Sequence, residues 1–166
     1  MEAAGLTHGG FYKHFADKDQ LLQEAVANAI AKVATQIEAL TQDLPRAEAL
    51  SKVISFYLSE EHLRNPELGC ALAALGTELG RMPQAMKKEV SKALDAHADR
   101  LDFLLPGSSP QQRRAGFLVL FPAMAGCMIA ARAYGSRQRQ QQILSAGRMF
   151  FQQAFCGDSN PSFQRS

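Results

Sequence analysis

Apolar residues recur at spacings of three and four along nearly all of this 166-residue chain. Nowhere do they keep the two-residue alternation of a strand. That rhythm constrains the fold more than any other feature, because each segment that carries it has one apolar face to bury as a helix. Apolar residues make up 46% of the sequence, enough for such helices to share a core and too many for disorder throughout. The length suits one ordinary domain, or a small module joined to a larger one. The expectation is an all-α chain.

Turn and cap residues divide the pattern. Residues 1–4 read as the tail of a helix that Gly5 ends. Thr7 is an N-cap for a short helix reaching about His14, with Leu6 and Phe11 at staple positions. Asp17 and Gln20 stand at capping-box spacing before a long helix. Its stripe is Leu21, Leu22, Val26, Ala29, Ile30, Val33, Ile37 and Leu40, and Pro45 closes it. A further helix carries Leu50, Val53, Ile54, Tyr57 and Leu58 and stops before Pro66. A short apolar helix covers 70–79 between Gly69 and Gly80. Pro83 opens the next, with Met86, Val90, Leu94, His97, Leu101 and Leu104 on one face. Residues 106–110 form the one obvious loop. After a break at Gly135 and Ser136, the last helix carries Ile143, Leu144, Gly147, Phe150, Phe151 and Phe155. Residues 158–166 read as a disordered tail.

One stretch tests the compartment. Residues 115–131 carry no charge, and their 17 positions reach the lower edge of membrane-spanning length. Containing Pro122 and two glycines, the stretch reads as a buried helix, with no membrane as partner. A net charge of +2 provides no chain-wide basic field, so any DNA contact has to come from a local cluster. Cys70, Cys127 and Cys156 have neither metal-finger spacing nor a disulfide pattern, and no signal segment opens the chain. The expected location is the cytoplasm. Cys70 and Cys127 sense oxidants only if exposed as low-pKa thiols; their apolar helices point instead to packing. There is no nucleophile elbow, phosphate-binding glycine loop or HExxH pair, and the four histidines are dispersed. No enzyme activity, cofactor or metal is expected.

The informative stretch is AGLTHGGFYKHFADKDQLL at residues 4–22. Helix end, glycine turn, short helix, turn and long helix make up the second half of a helix-turn-helix unit. Such a unit lays its second helix in the major groove with its first residues at base edges. Gly9 and Gly10 permit close backbone approach to DNA, at a cost of about 1 kcal/mol each within a helix. Phe11 and Phe15, four apart, face a core together. Tyr12, Lys13 and His14 then project elsewhere as donors suited to phosphates.

This stretch resembles the signature of the TetR family of transcriptional regulators: an Ala-Gly turn, a short recognition helix ending Tyr-x-His-Phe, and a lysine near the start of a long helix. The motif spans about twenty residues; the rest of the chain agrees in helix order and length. The segment GCALAALGTELGR, residues 69–81, is similar to one in a branch of the family's C-terminal domains. The resemblance implies that Thr7, His8, Gly9 and Gly10 lie near the bases and that Tyr12, His14 and Lys18 meet phosphates. It divides the chain into a partial helix-turn-helix domain over 1–40, including the start of the long helix, and a helical regulatory and dimerisation domain over 41–157.

Family members carry about thirty residues ahead of this motif, forming the first helix and most of the second. Only residues 1–4 stand here, so Phe11 and Phe15 would lack cover worth about 1.5–3 kcal/mol each. The expectation is weak or absent operator binding by the chain as given. A shortened dimeric module that binds a small molecule, or pairs with a full-length relative, is the alternative to a DNA-binding regulator.

The resemblance also implies a homodimer built from the last two long helices of each subunit, matching the two-fold symmetry of operator DNA. Independently, the helix over 113–134 is apolar nearly all round and needs burial on several sides. Gly116, Ala123, Gly126 and Ala130 permit close helix contact, and Phe150, Phe151 and Phe155 add aromatic surface. A small apolar or amphipathic effector would relieve operator binding, repression being the default. Its pocket lining is assigned to Phe56, Leu75, Leu79, Met86, Phe103, Phe117, Phe121, Met124 and Cys127. Any one of these, taken singly, is more often plain core. His97, among apolar neighbours, reads as a hydrogen-bonded core histidine.

Overall fold

The computed structural model describes residues 18–66 and 69–157. Among them every regular element is a helix and none is a strand. Helix α1, Lys18–Thr41, turns Val26, Ile30, Ala34 and Ile37 inward, a three-to-four spacing that keeps one side of the helix buried. Its end is closed locally. The Thr41 hydroxyl donates back to the Ile37 carbonyl at 2.8 Å, and the Leu44 N–H returns to the Thr41 carbonyl at 3.2 Å. Between them Asp43 takes the left-handed conformation, φ 62°, which a short polar side chain tolerates.

Helix α2, Arg46–Tyr57, is the most central, burying Ala49, Leu50, Val53, Ile54 and Tyr57. The sequence pattern predicts one helix running to Pro66; instead the chain breaks at Leu58. The Ser59 hydroxyl accepts the His62 N–H at 3.1 Å and caps a new short helix, α3, Glu60–Arg64. Helix α4, Ala71–Arg81, is followed by α5, Gln84–Arg100, which Pro83 introduces. The predicted stripe through Leu104 is likewise interrupted. After Arg100 a 3-10 turn, Asp102–Leu104, tightens the backbone so that Leu101, Leu104 and Leu105 are all fully buried. Gly107, at φ 142°, makes the turn into α6; a Cβ there would stand 2.8 Å from that of Gln112. The Ser109 hydroxyl caps α6, Pro110–Ala133, by accepting the Gln112 N–H at 3.2 Å. Helix α7, Arg137–Cys156, packs on both α6 and α2.

Two apolar clusters result. The main one joins α2, α6, α7 and the 3-10 turn through Leu50, Ile54, Leu58, Leu104, Leu120, Met124, Met128 and Leu144. The second lies between α1, α4 and α5 and holds Val26, Ile30, Ala71, Leu79, Met82, Met86 and Val90. At about 1.5–3 kcal/mol for each large side chain, both are substantial. Surface ion pairs lace α5 to its neighbours: Arg100 with Glu38 of α1, and Arg114 of α6 with Asp95 and Asp99. At these exposures such pairs contribute from nothing to about 1 kcal/mol each.

Helix α6 is, among the described residues, the one helix long and apolar enough to cross a membrane. Its inner face is covered by protein: Phe117, Leu120, Phe121, Met124 and Met128 are buried. Its outer face is open. Leu118 is 60% exposed, Val119 59% and Ile129 50%, and on the neighbouring α7 Met149 is 70% and Phe150 65% exposed. These are large apolar side chains left open on two neighbouring helices, where a water-facing surface would carry charge.

Candidate functional site

Two cavities adjoin inside the bundle, and Val33 of α1 and Cys70, at the start of α4, line both. The first, about 130 Å³, is bounded by Ile37, Phe56, Tyr57, His62 and Asn65. The second, about 120 Å³, lies between α1, α4, α5 and α6. Its walls are Ile30, Leu72, Leu94, His97, Phe117, Phe121 and Pro122, with Asp95 and Arg114 among its lining. Each is close to the roughly 150 Å³ of an apolar cavity that accepts benzene.

His62 fixes the first cavity. Its Nδ1 lies 2.6 Å from the Tyr57 carbonyl, which can only accept, so Nδ1 carries the proton. Its Nε2 is therefore bare and accepts the Cys70 N–H at 3.2 Å. One neutral tautomer thus ties the end of α2 to the start of α4. Burial holds His62 below the ordinary histidine pKa, outweighing the Tyr57 carbonyl, which favours protonation. Gly69 leaves room for the ring, since a Cβ there would fall 2.0 Å from His62 Nε2. From α6, Arg132 reaches the carbonyls of His62 at 2.8 Å, Ala73 at 3.2 Å and Leu63 at 3.4 Å. It thereby satisfies helix-end acceptors on α3 and ties them to a first-turn carbonyl of α4.

Tyr57, 3% exposed, stands edge-on to His62 at 4.7 Å. Its hydroxyl lies beside the Cys70 thiol and has no hydrogen-bond partner of ordinary geometry. Burial, and secondarily that thiol, push its pKa well above the usual value, so it remains a neutral phenol. His97, 8% exposed, packs edge-on against Phe117 at 5.7 Å and Phe121 at 5.8 Å, and those two rings stack at 4.5 Å. Burial, helped by Arg100 and opposed by Glu38, pulls His97 down to about 4. The sequence predicts a hydrogen-bonded core histidine here. The ring is buried as expected, yet its Nδ1 has no partner.

The residues assigned to ligand binding divide three ways. Phe56 lines the first cavity, and Phe117 and Phe121 the second. Leu79 and Met86 are corrected to core: both are buried in the α1–α4–α5 cluster, with Leu75 packed against it. Met124 is fully buried in the main core, and Cys127 packs there against Gly147. Phe103 is 51% exposed and borders an open groove beside Thr41 and Leu44 instead. Of the residues assigned to the dimer interface, Gly126, Ala130 and Phe150 are exposed and Ala123 is half-buried. Gly116, Phe151 and Phe155 are corrected to the subunit's own core. Phe155 and Leu105 pack over Gly116, and Phe151 joins the main cluster. Thr7, His8, Gly9, Gly10, Tyr12, Lys13 and His14 lie outside the described residues, and so does the 158–166 tail. Lys18 is the first residue of α1.

Sequence reasoning missed Val33, Tyr57, His62 and Cys70 as cavity residues. Tyr57 and Val33 sat on plain core stripes, and His62 has no local pattern to mark its reach across to Cys70. Burial raises the Cys127 and Cys156 thiols, against a thiolate at neutral pH. Among the described residues no group of three or more His, Cys, Asp and Glu side chains could hold a metal. Chemically the two cavities offer apolar walls with a few isolated hydrogen-bonding groups, a lining suited to small ligands. Compared with known protein families and with curated proteins, the chain matches none.

Proposed function

We propose that this chain belongs to a TetR-type transcriptional regulator, a cytoplasmic homodimer without enzymatic activity whose binding to operator DNA a small apolar or amphipathic effector relieves. One observation carries the reading. The 4–22 motif runs directly into α1, and Val33 of that same helix lines both cavities. A molecule in either cavity touches the helix that continues from the DNA-reading segment. An effector that binds one position of α1 more tightly than another shifts the spacing of two recognition helices across a dimer. The exposed strip of Leu118, Val119, Ile129, Met149 and Phe150, with Gly126 and Ala130 beside it, supports dimerisation through α6 and α7. The buried inner face of α6 supports its reading as a core helix.

The test is a mobility-shift titration at two salt concentrations, against the DNA flanking the gene. It compares this chain with a version extended upstream in its gene. The extended form is expected to bind with steep salt dependence, and this chain weakly or not at all. Failure of both to bind would refute the regulator and leave a dimeric ligand-binding module.

A further inference from the structure

We propose that the two cavities act as one two-lobed site for a neutral single-chain amphiphile of medium length, a molecule of the n-alkanol class whose alkyl chain passes from the first lobe into the second. This deepens the regulator reading by naming its effector chemistry; the ligand's role rests on that reading, its binding does not.

Val33 of α1 and Cys70 line both cavities, so the two meet at those side chains. Both residues are half-buried, and both side chains are small and carry no charge that a passing chain would have to displace. The lobes measure about 130 and 120 Å³. Taking about 150 Å³ for the six carbons of benzene, the pair has room for roughly ten. Two such lobes joined at a waist of two side chains admit a linear chain and exclude a cage of the same carbon number.

Polarity sets the direction of the chain. The second lobe is walled by Ile30, Leu72, Leu94, Phe117 and Phe121, and its charged residues, Arg114 and Asp95, are paired with each other. The first lobe reaches solvent at Gln36 and Glu61, both exposed. The alkyl tail therefore lies against Phe117 and Phe121, while the head stays in water at the Gln36 rim. A hydroxyl left there avoids the cost of burial without a partner. The lining of the first lobe holds no Lys or Arg among the described residues, and burial keeps His62 neutral near pH 7. A carboxylate head would face Glu61 with no cation to offset it, so the head is neutral.

The experiment is isothermal titration calorimetry of the full chain with 1-hexanol, 1-octanol, 1-decanol, 1-dodecanol, 1-adamantanol and decanoate. One molecule should bind per chain. Affinity should rise about fourfold per methylene up to roughly ten carbons and then level off. 1-Adamantanol, with ten carbons in a cage, should bind about tenfold more weakly than 1-decanol, and decanoate should also bind more weakly. Val33→Phe at the waist and Leu94→Phe in the second lobe should each keep 1-hexanol binding and erase the gain from 1-hexanol to 1-decanol. Circular dichroism checks that both are folded, and the length series on the parent decides the matter if they are not. Levelling at six carbons, a rise through 1-dodecanol that neither folded variant alters, 1-adamantanol or decanoate equal to 1-decanol, or no binding overturns the proposal. The regulator reading fails separately. If 1-decanol binds as described but the upstream-extended chain binds no DNA, the site stands and the regulator falls. If the extended chain binds DNA and no probe binds, the reverse holds.

Discussion

Acid should unfold this protein earlier than its carboxylates alone would dictate, and His97 is the reason. In the native state its pKa lies at about 4, against 6.5 for an unperturbed histidine. The dominant cause is burial against Phe117 and Phe121. Above pH 6.5 the ring is neutral in both states and costs nothing. As pH falls below 6.5 the unfolded chain takes up the proton first, and the native state follows only near 4. Stability is therefore full above the unfolded pKa and drains away between 6.5 and 4. Each pH unit in that window is worth up to about 1.4 kcal/mol, so a shift from about pH 7 to about pH 5 costs roughly 2 kcal/mol. His62 acts in the same direction, since its pKa is also lowered. The carboxyl of Glu38, held below its usual 4.5 by Arg100, loses its contribution as pH falls from that value, below the interval from about pH 7 to about pH 5. The assay is urea unfolding by circular dichroism at both pH values, for the parent and for His97→Phe, which keeps a ring and loses the titration. The parent should lose about 2 kcal/mol more than the variant. Equal losses in the two proteins would refute the assignment.

Three further outcomes follow from the packing. Gly69→Ala should destabilise by about 2–3 kcal/mol in urea titrations, because its Cβ displaces the His62 ring and breaks both of its hydrogen bonds. Arg132→Met keeps the aliphatic stem but strips the donors from three carbonyls. It should cost about 3 kcal/mol; a loss below about 1 kcal/mol would mean that water replaces the guanidinium freely. Phe150→Glu places a charge on the open strip of α7, 65% exposed within the subunit. If the chain pairs through this strip as proposed, sedimentation should shift from dimer to monomer with helicity unchanged; a monomeric parent or an unaltered dimer would refute that interface.

The spacing of apolar residues was enough to read an all-helical chain, because a helix period is a local property of sequence. Pro45, Pro83 and the 106–110 loop likewise marked where helices stop or start through their own backbone limits. Two breaks escaped that reading. The Ser59 cap and the 3-10 turn at Asp102–Leu104 each interrupt a stripe that runs on in the sequence, since a hydroxyl or a tightened turn competes without disturbing the apolar pattern. The cavities were legible only in part. Phe56, Phe117 and Phe121 could be named from residue type, whereas Leu79 and Met86 look the same in sequence and are core.

Sequence alone determined the all-helical character of the described residues and most of their helix boundaries, and it holds the 4–22 motif on which the functional proposal rests. Tertiary structure alone decided which faces meet. It turned Gly116, Phe151 and Phe155 inward and left Leu118, Val119 and Phe150 outside. It joined His62 to Cys70 and, across 70 positions of chain, Arg132 to the His62 carbonyl. The reason is physical: a helix that is apolar on several sides specifies that it must be buried, while which neighbour covers which side depends on how distant segments pack together.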